Sequence, residues 1–246
     1  MELVFHDFKG LIRVGRIIYE KGKPIHPSYP GFTSIVVMTK SSPYGDLGPY
    51  VLKNEKGQIM ENIWQFQKLY PWVPEVKEVF SPRFDRTVVW EHPRETHITK
   101  GEPNEKYWAW REKGLNNDLP VRYPVGNTAH RKLCVCVLTE DGEKLNLVEG
   151  RRQLYLKTYC DLVKRQPRFE KLKKRLEDGE NLLIIEVDGP HQESLGYYQK
   201  TYAVGDDFIE DHTMLVTLKN VEIMLKDPSH SFGHGYCLAM ALLGWA

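Results

Sequence analysis

The stretch NLVEGRRQLYLKTYCDLVKRQPRFEKLKKRLEDG, residues 146–179, constrains the fold more than any other part of the chain. Leu147, Leu154, Tyr155, Tyr159, Leu162, Val163, Phe169, Leu172 and Leu176 recur near the period of an α-helix. Proline has no N–H to give a helix interior, so Pro167 should divide this stretch into two helices. Gly179 should close the second, because glycine takes a left-handed backbone without strain. The segment NLLIIEVDG follows at once. Its run of Leu and Ile, ending in polar residues, reads as a buried strand.

Other strand-like runs gather in the first half. LIRVGRIIYE ends in a KGKP turn, TSIVVMT is a short buried run, and RTVVWEHP is stopped by Pro93. SSPYGDLGPYVLKNEKGQ is rich in turn signals around one short strand. Residues 60–70 read as a helix stopped by Pro71 and Pro74, and NEKYWAWREKG as a short helix closed by Gly114. KLCVCVLTEDGEKLNLVEG reads as a hairpin turning at Glu140-Asp141-Gly142. Later, SLGYYQKTYAV suits a helix, and SFGHGYCLAMALLGWA is a Gly-rich turn feeding an apolar helix. The expectation is an α+β fold. Short antiparallel strands would fill the N-terminal half and helices the C-terminal half. One compact domain would span residues 1–246, with 72–146 as an insertion or elaboration.

Composition narrows the functional classes. At 246 residues and 41% hydrophobic, the chain can bury a core without disulfide or metal staples. A net charge of +1 does not announce a polyanion partner, although a local basic patch can still hold phosphates. The four cysteines have no zinc-site spacing, and Cys134 and Cys136 alternate with valines as strand residues do. The nine histidines show no metal-site spacing either, so no metal and no other cofactor is expected. MELVFHDFKG lacks a basic segment followed by an apolar run, and no apolar stretch approaches ~18 residues. The expected setting is intracellular and cytoplasmic, without a membrane.

Four segments carry residues suited to chemistry. In IMENIWQFQKLY, Glu61, Gln65 and Lys68 share one helical stripe beside Trp64. They serve either as a solvated face that suits the helix dipole, or as the wall of a sugar or nucleotide site. In EVDGPHQES, a strand end delivers Asp188 and His191 as acid–base partners or ribose contacts, unless Asp-Gly-Pro is only a turn. In DPSHSFGHGY, Gly233 and Gly235 open backbone N–H groups before the last helix. With His230 and His234 they suit an anion, unless they form an ordinary turn. The stretch from Tyr107 to Lys132 mixes Trp108 and other aromatics with Arg122 and Arg131. That mixture suits DNA, RNA or a nucleotide, and equally a core edge with a charged rim.

Taken in order, Glu61-Asn62-Ile63-Trp64-Gln65 with Lys68, the helix pair RRQLYLKTYCDLVKRQPRFEKLKKRL, the strand end IIEVDG and the closing HGYCLAMALL resemble the NADAR (YbiA-like) superfamily. The family's closing Asn falls on Tyr236, and its preceding Gly on His234. The resemblance implies an N-glycosidase-type hydrolase acting on a ribosyl C–N bond. Its substrate would be a nucleotide, an ADP-ribose-related compound or ADP-ribosylated nucleic acid. Glu61 and Asp188 would be catalytic, stabilising oxocarbenium-like charge or activating water. Trp64, Gln65, Lys68, Trp108, Arg122, His191, Gly233, His234 and Gly235 would bind substrate. A base-modifying transferase or a non-catalytic nucleic-acid-binding accessory would place the same residues differently.

Overall fold

The computed structural model describes residues 9–38, 43–80, 88–126 and 128–246. The opening MELVFHDF, Thr39, Ser41-Ser42 and the Arg86-Thr87 start of the RTVVWEHP strand lie outside the described residues. Strands prevail in the N-terminal half and helices toward the C-terminus, in a mixed α and β chain. The chain divides into two compact units, residues 1–48 with 159–246, and residues 49–158.

The first unit is built on a four-stranded sheet in the order Thr213–Leu215, Ile12–Arg16, Leu182–Glu186, Thr33–Val36. Leu182–Glu186 is buried at every residue, as a central strand covered on both faces must be. It runs parallel to both Ile12–Arg16 and Thr33–Val36. The antiparallel expectation holds for the Thr213–Leu215 edge and for the Ile18–Glu20/Lys23–Ile25 hairpin, but not for this core. An apolar run shows that a strand is buried and not which way its partner points.

The final helix, His234–Leu242, packs on the Ile12–Arg16 and Leu182–Glu186 strands. It is apolar nearly all round, as a buried helix should be. Each of Ile12, Leu183, Ile184 and Leu238 is almost wholly buried, and burial of such a side chain contributes about 2 kcal/mol. The helix pair expected at 146–179 is present. Helical residues Leu147–Val163 include a π turn at Arg151–Leu156, and the Pro167–Glu177 helix starts on Pro167. Gly179, at φ +99°, donates to Leu176 O at 3.1 Å, and Glu180 N donates to Arg175 O at 3.0 Å. This pair of bonds satisfies two carbonyls that the helix end leaves open.

In the second unit, the Met60–Phe66 helix packs against the Glu105–Leu115 helix. Around them Phe66, Tyr70, Trp90, Tyr107 and Trp110 form an aromatic core, with Phe66 centred 4.7 Å from Trp90 and 4.6 Å from Trp110. A three-stranded sheet runs Lys144–Leu145, Cys136–Leu138, Lys68–Leu69. Its first two strands are the expected hairpin.

Two helix ends differ from expectation. The first helix stops at Phe66 rather than Tyr70, and Lys68 lies on a strand. Gln67 O and Leu69 O accept from Leu138 N and Val135 N at 2.8 and 2.9 Å, so the neighbouring strand takes carbonyls that a longer helix would have used. The second helix runs through Gly114 to Leu115. Gly114 is small for packing and not for turning: a Cβ there would lie 2.1 Å from the Phe66 ring. Gly114→Ala should therefore cost about 3 kcal/mol in urea unfolding, through forced displacement of Phe66. Gly196→Ala is the control, since no atom lies within 4 Å of its Cβ position, and it should be neutral or slightly stabilising.

Candidate functional site

The second unit holds a continuous polar chain. Glu61 sits in the first turn of the Met60–Phe66 helix and is only 6% exposed. The helix start is already tied down, because Met60 N donates to Leu52 O and Glu61 N to Pro49 O. The Glu61 carboxylate therefore faces side-chain partners. Gln65 Nε2 donates to Glu61 Oε1 at 2.9 Å, and Lys68 Nζ donates to Gln65 Oε1 at 2.9 Å. One amide thus bridges a buried carboxylate and an ammonium. Trp64 lies under the cation, with Lys68 Nζ 4.5 Å from its ring, and is centred 5.0 Å from Tyr155. The solvated-face reading of this stripe does not describe Glu61.

Burial pulls the Lys68 ammonium down to about 8; Cys134 and Glu61 oppose that pull, while Arg151 and Arg131 add to it. Two more cations therefore act on the same ammonium. Arg151 is itself buried, on the π turn, an irregularity that often marks functional sites. Arg131 and Arg122 lie over the Tyr123 ring at 5.0 and 5.2 Å. Asn62, fully buried next to Glu61, donates to Asn117 O and Leu119 O and accepts from Val121 N, so it clamps the 117–121 loop. Trp108 stands apart from this set. It is 38% exposed, with Tyr107 and Arg111 beside it.

The remaining candidates belong to the first unit. Glu186, the last residue of the central strand, is fully buried. Its Oε1 accepts from Gly235 N at 2.8 Å, and its Oε2 lies 3.0 Å from His234 Nδ1. The other His234 nitrogen meets Val37 O. A Cβ on Gly233 or Gly235 would come within 2.3 or 2.7 Å of this carboxylate. At this helix start Gly235 N donates to a carboxylate, and that carboxylate is the chain's own Glu186. Burial alone would lower the His234 pKa, but the Glu186 charge and hydrogen bond, the Val37 carbonyl and Asp188 together raise it.

Asp188 is half-buried and acts electrostatically on both His234 and Tyr236. His191 is engaged elsewhere: its Nδ1 lies 3.0 Å from Glu193, which pairs with Arg16 at 2.9 Å. Burial and the Arg16 charge lower the His191 pKa against the pull of Glu193. The sequence reading passed over Asp227. This fully buried carboxylate accepts from Tyr197 OH at 2.9 Å, Ser229 N at 3.0 Å and His230 Nδ1 at 2.5 Å. The signal was present in Asp-Pro-Ser-His, where an aspartate can bond the backbone two residues on.

Among the described residues, no group of three or more His, Cys, Asp or Glu is placed to hold a metal ion, and no helix is long and apolar enough to cross a membrane. No family model matches the chain, and no curated protein or solved structure does.

The His234–Glu186 pair carries a pH signature. A histidine whose folded pKa is raised contributes stability that is complete below its ordinary value of 6.5 and lost as pH climbs through the folded value. Wild-type unfolding free energy should therefore fall as pH rises above 6.5, and His234→Gln should lack that component. Parallel pH profiles for the two proteins would contradict the pairing.

Proposed function

We propose that the protein is an N-glycosidase-type hydrolase. It cleaves a ribosyl C–N bond in a nucleotide, an ADP-ribose-related compound or ADP-ribosylated nucleic acid. The observation that carries this reading is the Glu61–Gln65–Lys68 chain, a buried carboxylate held by an amide against a cation. Loss of a base from ribose develops positive charge at the anomeric carbon, which a fixed carboxylate at low dielectric stabilises strongly. Glu61 supplies that charge or takes a proton from the attacking water, and Gln65 fixes its orientation. Lys68, with Arg131 and Arg151 adding positive potential, suits a phosphate on the same ribose. Trp64 offers a ring face beside them. The resemblance to the NADAR superfamily points to the same chemistry.

The test is turnover of a panel of ribosyl substrates, including ADP-ribosylated guanine nucleic acid, followed by release of ADP-ribose or free base. Glu61→Gln should lower kcat by about 10²–10⁴-fold with an unchanged melting temperature, as loss of a proton-transfer or charge-stabilising group does. Lys68→Met should act mainly on KM. No release from any member of the panel would overturn the assignment. Asp188→Asn in the same assay reports whether the strand-end carboxylate is also required.

Arg122 and Arg131, both against the Tyr123 ring, favour a second reading, a nucleic-acid-binding accessory. Salt-sensitive binding that survives Glu61→Gln, without turnover, would support that reading instead.

A further inference from the structure

The Pro167–Glu177 helix and the turn before it hold the densest positive charge in the chain. Residues 164–175, KRQPRFEKLKKR, carry seven cations and one carboxylate, in a chain whose net charge is +1. The helix is amphipathic. Phe169, Leu172 and Leu176 are buried, and the helix packs on the final helix and on residues 45–47. Its apolar side is therefore used by the fold. Arg168, Lys171 and Lys174 are exposed and stand at i, i+3 and i+6, so each neighbours the next on the outer side.

Part of this charge is matched locally. Arg168 pairs with Asp46 at 2.9 Å, Arg175 with Glu180 at 2.6 Å, and Lys173 lies 4.0 Å from Glu177. Lys164 donates to Ala246 O. The Arg168–Asp46 pair is exposed on both sides, where such pairs hold only weakly. Lys171 and Lys174 enter none of these pairs.

Several partners carry enough negative charge to meet this face, and its chemistry separates them. A protein interface is anchored by aromatic or aliphatic side chains at its centre. Among the described residues, no large hydrophobic side chain from 136 to 217 is exposed. A bilayer surface is held by the apolar side of a helix as well as by charge. Here Phe169, Leu172 and Leu176 are turned into the core. A single strand is gripped by stacking its bases on aromatic rings, and Phe169, the one aromatic residue of the helix, is buried. A duplex asks for cations alone, because its phosphates supply the affinity through released counterions. The 11-residue helix is about 16 Å long, roughly the rise of five base pairs.

We propose that the outer side of the Pro167–Glu177 helix docks the phosphate backbone of a nucleic-acid duplex without reading its sequence. Lys171 and Lys174 make the central phosphate contacts, with Arg168 beside them. The surface belongs to the first unit, whereas Arg122 and Arg131 belong to the second. It stands whether or not Glu61 is catalytic.

The test is binding of the full chain to a DNA duplex of about 20 base pairs, followed by fluorescence anisotropy between about 50 and 200 mM salt. Each lost phosphate contact takes about 0.9 from the slope of log K against log salt. Lys171→Gln/Lys174→Gln should therefore flatten the slope by about 1.8 and weaken binding at least tenfold at the lower salt. Its melting temperature should hold, since Gln suits a helix as well as Lys does. Lys200→Gln/Lys219→Gln removes the same charge from two other helices and should leave the slope as it is. No duplex binding at the lower salt would overturn the proposal. So would a wild-type slope in the Lys171→Gln/Lys174→Gln variant, or equal losses in the two double variants. Tighter binding to phosphatidylserine vesicles or to a single strand of the same length, lost in the Lys171→Gln/Lys174→Gln variant, would give the face to that partner and overturn the duplex.

Discussion

A carboxylate buried at the last residue of a central strand must find its counter-charge within reach, and the first unit is organised around that need. Glu186 meets the N–H of Gly235 and the ring of His234 at the start of the final helix. The helix start gives a negative charge a favourable place, and the imidazole completes the pairing. Removing one partner of a buried pair typically costs about 3–5 kcal/mol, because the other is left uncompensated. Gly233 and Gly235 follow from this contact, since any side chain would displace the carboxylate. The final helix is thereby fixed on the parallel strands whose ends present Arg16 and Glu186 side by side.

The second unit solves a similar problem differently. Its buried carboxylate, Glu61, accepts from a neutral amide that in turn accepts from Lys68, and Arg151 and Arg131 also act on that ammonium. Gln65 stands between the two groups, accepting from the ammonium and donating to the carboxylate. Asn62, one residue on, ties the same helix to the 117–121 loop, so the chain of side chains rests on a fixed backbone.

What was legible in the sequence follows from covalent and local rules. Pro167 opens a helix and Gly179 closes it because ring closure and left-handed backbone belong to those residues in any fold. The hairpin through Gly142 and the buried Leu182–Glu186 strand follow from pattern in the same way. What was not legible depends on residues far apart in the chain. Strand direction around Leu182–Glu186 comes from partners roughly 150 or more positions earlier. The short first helix comes from strand pairing with Cys136-Val137, and the role of Gly114 from Phe66. The glycines before the last helix were readable as ready for an anion, but not that Glu186 would supply it. The burial of Arg151 on the π turn likewise depends on packing rather than local pattern.

The central claim is that Glu61 stands at the reacting carbon and Lys68 at a phosphate of one ribosyl substrate. The most direct measurement is a crystal structure with ribose 5-phosphate bound. It should place the anomeric carbon about 3–3.5 Å from a Glu61 carboxylate oxygen, the separation of a near-attack geometry, with the phosphate on Lys68. A sugar phosphate bound away from both residues would contradict the account.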